Sequence, residues 1–272
     1  MNDISKIENA AVQIRKNIIK MTYNTGRKGA HVGGALSLAE IMAVLYTGVM
    51  KYDKDNMSDP LRDRLILSKG HSSMALYAAL EQAGLLTDEE LLTFMEKDTR
   101  LTAHPSLNPG IGIDFATGSL GMGLSQGVGT GLALRLKGNN TSRIFVIVGD
   151  GECDEGSVWE AAMSAANYKL ENIVCLVDKN GFQYDGDTRE VMDKGDMAAK
   201  WRAFGWDVRE ADGHNIEELL AALDNLGNGR PTAVICNTVK GKGVSFMEAS
   251  GKDWHKGTLN EKQYEAAMAE QV

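Results

Sequence analysis

RIFVIVGDGECDEGSVWEAAMSAANYKLENIVCLVDKN, residues 143–180, is the stretch whose reading decides the fold. Ile144 to Val148 form an apolar run that stops at Gly149-Asp150-Gly151, and a short acidic segment follows. Trp159, Ala162, Met163 and Ala166 then recur at helical spacing, and a second apolar run, Ile173 to Val177, ends at Asp178-Lys179-Asn180. β-Branched runs on either side of a helix of this length predict a strand–helix–strand unit with parallel strands. In open α/β sheets ligands sit outside the carboxyl ends of the strands, so Asp150 and Asn180 are expected to face one crevice. A carboxylate and an amide oxygen suit Mg2+, which keeps few protein ligands and takes the others from phosphate and water. The glycines beside Asp150 allow close backbone approach, and the next helix offers free N–H groups to an anion. The stretch predicts a site for a magnesium–diphosphate.

Composition narrows the class. The 272 residues suit one large α/β domain or at most two small ones, and a hydrophobic content of 43% is ample for a core. A net charge of −8 without a basic cluster argues against a nucleic-acid surface. The apolar runs fall far below bilayer length, and the acidic N-terminus (Asp3, Glu8) lacks the pattern of a signal peptide, so no membrane role is expected. The 3 cysteines are odd in number, and Cys175 and Cys236 sit in strand-like runs. That usage predicts a reducing compartment, by default the cytoplasm, with no disulfide framework. Cys153 lies in the motif loop and reads as a bystander thiol.

Working outward, Ile4, Ile7, Ala11, Ile14, Ile18 and Met21 step by three or four residues and predict an amphipathic helix over residues 3–24. A Gly-rich break holding His31 follows, then a helix from about Leu38 to Tyr46. Residues 51–62 are polar and predict a surface loop. A strand is expected near Leu65–Leu67 and a helix from Ser73, with Ser72 or Ser73 as its cap and His71 at its start. Residues 88–96 predict a short acidic helix. The stretch from 97 to 120 has Pro and Gly at intervals, and a loop that long in a compact domain is usually functional. Gly121 to Gly127 imitates a dinucleotide fingerprint, but such a loop needs a strand immediately before it, and TGSL is not one. Past Asn180, a helix over Lys200–Phe204, a strand over Trp206–Val208, a helix over Ile216–Leu226 and a core strand over Thr232–Thr238 are expected. His214, in DGHN, reads as a structural turn or cap. The tail is expected to be loop-like until about Asn260, and its GKGVS lacks the spacing of a phosphate-binding Walker loop.

Gly-Asp-Gly followed one strand–helix–strand unit later by Asn resembles the thiamine-diphosphate motif. GDGECDEG (149–156) with DKNGFQYDG (178–186) resembles the transketolase version of it. The resemblance extends to four histidine segments: AHVGGALS around His31, SKGHSS around His71, TAHPSLNPG around His104 and DWHKGTL around His255. It implies an α/β fold of three layers, a mostly parallel sheet flanked by helices. A single domain is expected over residues 1–272, with 241–272 as a C-terminal loop and helix extension. The implied cofactors are thiamine diphosphate and Mg2+. Asp150, Asn180 and the carbonyl of Phe182 are the implied metal ligands, and His71, Gly118, Leu120, Gly151, Glu152 and Asn180 the cofactor contacts. His31, His104 and His255 are implied at the substrate, where an unperturbed pKa of ~6.5 suits proton transfer near neutrality. Glu155 matches a family glutamate that reaches across a dimer towards the catalytic glutamate. The sequence departs from the family at Val32, Ser119 and Met122, where the patterns show Pro, Pro and Gln, so no contacts carry over at Ser119 and Met122.

The resemblance covers only the family's N-terminal, diphosphate-binding part. The pyrimidine-binding and C-terminal domains, with the glutamate that activates the cofactor and most arginines for the sugar phosphates, are expected on a second chain. This implies the N-terminal subunit of a split, two-chain transketolase, moving a two-carbon ketol unit between ketose and aldose phosphates. A homodimer core carrying two partner chains, α2β2, is the expected assembly. Two alternatives remain: a subunit of another thiamine enzyme (a deoxyxylulose-phosphate synthase or a ketol transferase for an unusual pentose), and a non-catalytic cofactor- or nucleotide-binding module.

Overall fold

The computed structural model describes residues 3–271. Five strands form its sheet: β1 (Arg64–Leu67), β2 (Ile144–Gly149), β3 (Ile173–Lys179), β4 (Asp207–Asp212) and β5 (Thr232–Asn237). Their order is β1-β2-β3-β5-β4, and every neighbouring pair is parallel. The carboxyl ends of the strands therefore form one continuous rim.

Side chains alternate across a pleated strand, and here both faces are covered. Leu65, Leu67, Phe145, Ile147, Val174, Leu176, Val234 and Cys236 pack against the helices Ile4–Asn24, Ser73–Gln82 and Ile216–Ala222. Ile66, Ile144, Val146, Cys175, Val177, Ala233 and Ile235 pack against Met122–Leu136, Gly156–Asn167 and Met197–Ala203. This is the three-layer α/β architecture. Two-sided burial explains why the strands read as unbroken apolar runs, and each large apolar side chain contributes roughly 1.5–3 kcal/mol.

The glycines of Met122–Leu136 belong to this packing. A Cβ at Gly127 would lie 2.8 Å from Val146 Cγ2, and one at Gly123 would collide with Ser68. No strand directly precedes the helix, so the dinucleotide-like spacing serves close helix–sheet contact.

Several expectations are corrected. The helix placed over Leu38–Tyr46 is Ala39–Ala43 continuing into a wide turn, Val44–Val49, closed by Met50 N–H donating to the Leu45 carbonyl at 2.8 Å; a separate helix spans Val32–Leu36. The acidic helix is only Asp88–Leu91, fixed by a Thr87/Glu90 capping box. Ser72 and Ser73 do not cap their helix, because their hydroxyls donate to the carbonyls of Gly34 and Ala103. The tail carries a short helix, Ser245–Glu248, and a turn, Gly251–Trp254, before the helix Glu261–Ala269. It is tied down by Tyr264 stacking on Tyr23, centroids 4.4 Å apart, and by paired backbone hydrogen bonds of 2.9 Å between Ala30 and Gly257. That pairing brings the loop of His31 beside the loop of His255.

Candidate active site

A cavity of about 420 Å3 opens at the carboxyl ends of β1, β2, β3 and β5. His31, His71, His104, Gly118, Leu120, Asp150, Gly151, Glu152, Glu155, Asn180, Phe182 and His255 all line it. Every residue singled out from the sequence as catalytic, cofactor-binding or metal-ligating is thus on one surface. Segments distant in sequence converge there: the loops after β1, β2, β3 and β5 reach the rim directly, and the loops of His31 and His104 are packed against it.

Asp150, 4% exposed, ends β2 and accepts backbone N–H bonds from Gly151 (2.9 Å) and Gly181 (2.8 Å). Burial and the charge of Asp178 push its carboxyl up to about 6, the signature of a buried carboxylate short of positive charge. Asn180 donates through Nδ2 to Asp178 Oδ2 at 2.9 Å, which leaves its Oδ1 as the free-facing acceptor beside Asp150, bonded only to Phe182 N–H at 3.1 Å. This donor set is all oxygen, and among the described residues no cluster of three or more His, Cys, Asp or Glu is arranged to hold a metal alone. Both facts fit an ion that completes its shell from a diphosphate and water. Gln183 Oε1, buried and without a partner, borders the same space. The Phe182 carbonyl accepts from Lys240 Nζ at 3.1 Å, so a cation using this oxygen displaces or shares with that ammonium.

Sequence reasoning missed the two lysines. Lys69 and Lys240 are each 2% exposed and line the cavity. Lys69 is ion-paired with Asp178, whose carboxylate also accepts from Ser37 Oγ (2.8 Å) and from Thr238 Oγ1. Lys240 follows β5 and places its Nζ 3.1 Å from His255 Nδ1; burial and the charge of Lys69 lower its pKa to about 8. Position was the one available hint: both lysines follow strand ends on the rim where ligands of open α/β sheets sit.

The histidines form a cluster. His31 stands 5.4 Å from His71, 5.9 Å from His104 and 5.5 Å from His255, ring centre to ring centre, and His71 lies 5.3 Å from His255. Burial, reinforced by neighbouring imidazoles and lysines, lowers His31 to about 4 and His255 to about 3, and holds His71 well below its ordinary value. These rings are neutral at pH 7, each able to give one hydrogen bond and accept one. The exposed Tyr184 closes the rim, its ring 5.2 Å from His255.

The two glutamates differ. Glu152 lines the cavity, but its carboxylate accepts from Ser68 Oγ, Gly121 N–H (2.8 Å) and Gly149 N–H (3.0 Å), so it shapes the cradle from below. Glu155 is exposed at the start of Gly156–Asn167 and makes no capping bond there. Cys153 is buried, with its thiol pushed up by burial, which suits an inert bystander. His214 lies outside the cavity and is bonded to Glu40 and to the Val239 backbone.

Residues 8–270 match the family described as transketolase, thiamine diphosphate binding domain. The chain belongs to this family. It is 43% identical to the 6-deoxy-6-sulfo-D-fructose transketolase subunit SqwG of Clostridium sp. (strain MSTE9), with 95% of each chain covered. It is 38% identical to an apulose-4-phosphate transketolase subunit of Phocaeicola vulgatus, covering 98% of this chain and 94% of that one. Human transketolase is 36% identical, but the chain spans only 42% of its length. The crystal structure of Campylobacter jejuni transketolase superposes with a TM-score of 0.89 at 29% identity, covering 100% of this chain and 43% of that one. The fold and length of this transketolase-family chain thus correspond to a subunit in some relatives and to under half of the polypeptide in others.

Proposed function

We propose that the chain is the diphosphate-binding subunit of a two-chain transketolase, with residues 1–272 as one domain whose segment 241–272 folds back beside the site. Asp150, Asn180 and the Phe182 carbonyl hold Mg2+, and Lys69, Lys240, His71 and the backbone at Gly118, Leu120 and Gly151 receive the diphosphate of thiamine diphosphate. Bound there, the cofactor supplies the electron sink for breaking the carbon–carbon bond beside a ketone. His31, His104 and His255 orient the hydroxyls of a ketose or aldose phosphate and move protons at those oxygens, with neutral imidazoles as both donor and acceptor. Glu155, free at the rim, faces a partner chain carrying the pyrimidine-binding and C-terminal domains, and two copies of each chain make an α2β2 enzyme. The buried, unpaired thiols suit the cytoplasm.

The observation that carries this reading is the meeting of Asp150, Asn180 and Phe182, two buried lysines and four imidazoles in one cavity. It is joined by the coverage of 95% of a relative that is itself one chain of a transketolase. Because the diphosphate and Asp150 are both anionic, a cation must stand between them. Calorimetry with thiamine diphosphate should show binding with Mg2+ that falls at least ~100-fold in chelator, an order set by losing a charge bridge worth several kcal/mol. Asp150→Ala and Asn180→Ala should do the same, and undiminished binding in either variant would sink the assignment.

A further inference from the structure

We propose that His214 is a positioning residue that sets Lys240 in the cavity, an inference resting on the cofactor-binding reading of that cavity. His214 lies between β4 and the helix Ile216–Ala222, outside the cavity and on no family motif used above. Its side chain is only 10% exposed and both ring nitrogens are bonded: Nε2 accepts from Val239 N–H at 2.8 Å, and Nδ1 stands 2.9 Å from Glu40 Oε2. Since a backbone N–H can only donate, Nε2 carries the lone pair and Nδ1 the proton, which is donated to Glu40. Glu40, 8% exposed on the side chain, is ion-paired through its other oxygen with Arg15 of Ile4–Asn24. A chain of bonds therefore runs from the buried Arg15 through Glu40 and His214 to the exposed backbone of Val239, next to Lys240.

Other anchors flank the lysine. Thr238 N–H donates to the Lys179 carbonyl at 3.1 Å and its Oγ1 bonds to Asp178, the Val239 carbonyl accepts from Lys242 N–H at 3.2 Å, and Gly241 N–H donates to the Gly33 carbonyl at 3.0 Å. Gly213 N–H meets the Asn237 carbonyl at 2.8 Å, and a Cβ at Gly213 would clash with Thr238, so the two loops are in direct contact. His214 supplies the bond to the backbone N–H of the residue preceding Lys240. With it in place, Lys240 Nζ reaches both the Phe182 carbonyl and His255 Nδ1 at 3.1 Å, a point from which an ammonium meets an incoming diphosphate. A lysine stem has four rotatable bonds, so an unfixed backbone scatters the charge.

The test reads Lys240 itself. In the chain without ligands, trace acetylation with acetic anhydride followed by peptide mass spectrometry should label Lys240 at least fivefold faster in His214→Leu than in the natural chain. Lys97, 93% exposed, should label equally in both. His214→Gln, which can still accept from Val239, should stay within twofold. If leucine prevents folding, His214→Asn keeps a donor to Glu40, is too short for Val239 and gives the same readout. Unchanged labelling of Lys240 in a folded variant overturns the proposal. In the two-chain enzyme, His214→Leu should weaken thiamine diphosphate binding at least fivefold, yet add less than twofold in a Lys240→Met background, since both act through one ammonium. Additive losses would also overturn it. A natural enzyme that binds no thiamine diphosphate refutes the functional reading alone, and the labelling arm still decides the positioning role.

Discussion

Two crevices lie along the carboxyl rim of the sheet, and both contain histidine and buried charge. In the cavity by β1, β2, β3 and β5, imidazoles face one another at 5.3–5.9 Å, and among the described residues the ring nitrogens of His31, His71 and His104 make no hydrogen bond. In the crevice by β4, lined by Arg15, Glu40, Asp212, His214 and Asn215, both ring nitrogens of His214 are engaged and Glu40 holds Arg15. The unbonded imidazoles are partly or fully exposed to the cavity and so are free to bond a ligand, whereas a group with every bond made holds structure. Residue type alone does not separate these roles; satisfaction does.

The comparison breaks most visibly if the open cavity is a complete active site. The chain with thiamine diphosphate, Mg2+, a ketose phosphate and an aldose phosphate should show no transfer above background. Adding the partner chain should raise the rate by ~10²–10⁴-fold or more, the usual contribution of a general acid–base group that only the partner brings. Robust turnover by the chain alone removes the two-chain reading and leaves the fold untouched.

Asp178 sharpens the contrast because it sits in the open cavity's wall yet is fully bonded. It is 0% exposed and holds Lys69, Ser37, Thr238 and Asn180 together. Asp178→Ala strands the Lys69 ammonium in the interior and should lower unfolding free energy by ~3–5 kcal/mol in urea titration. A loss below about 1 kcal/mol, the range of an exposed pair, means the cavity's charges are not buried as described.

His104 is the opposite case, exposed on a loop with an unbonded ring. His104→Ala should reduce kcat/KM of the assembled enzyme by roughly 10²-fold, as for loss of a proton-transfer or orienting group, while the unfolding midpoint barely moves. Unaltered kinetics would remove His104 from the substrate side.

What was legible in the sequence follows from the same physics. β2 and β3 were legible because burial on both faces imposes apolar runs, and Asp150 and Asn180 because a strand end fixes where a side chain points. Lys69 and Lys240 were not, since lysine is ordinarily a surface residue and only tertiary packing hides its charge. The widening of the helix from Val44 was hidden too: Val44, Leu45 and Tyr46 are buried like the turn before them, and Gly48 near its end was the one local cue. His214 lies in the expected turn, although Asn215 is the cap, and its partner Glu40 lies 174 residues away, a separation no local pattern spans.

The smallest expected effect is on acid stability, and the open cluster contributes to it alongside His214, which burial lowers to about 4. His31 faces His71, His104 and His255 together with Lys240 and Lys256, and burial first, these charges second, hold its pKa near about 4. His255, beside Lys240, Lys69 and His31, is lowered to about 3. In the unfolded chain both return to ~6.5. Above that pH both states are neutral and the stability is complete. As pH falls from ~6.5 towards 3 the unfolded chain takes up protons that the folded chain refuses, so stability declines across this window and levels off only below the folded value of His255, about 3. Both rings are partly exposed, so solvent screening keeps the slope shallow. Nuclear magnetic resonance titration of the imidazole signals should show His31 and His255 neutral down to about pH 5. Titration of both near 6.5 without ligand would mean that the cluster is solvated like any surface histidine, and the difference between the two crevices would collapse.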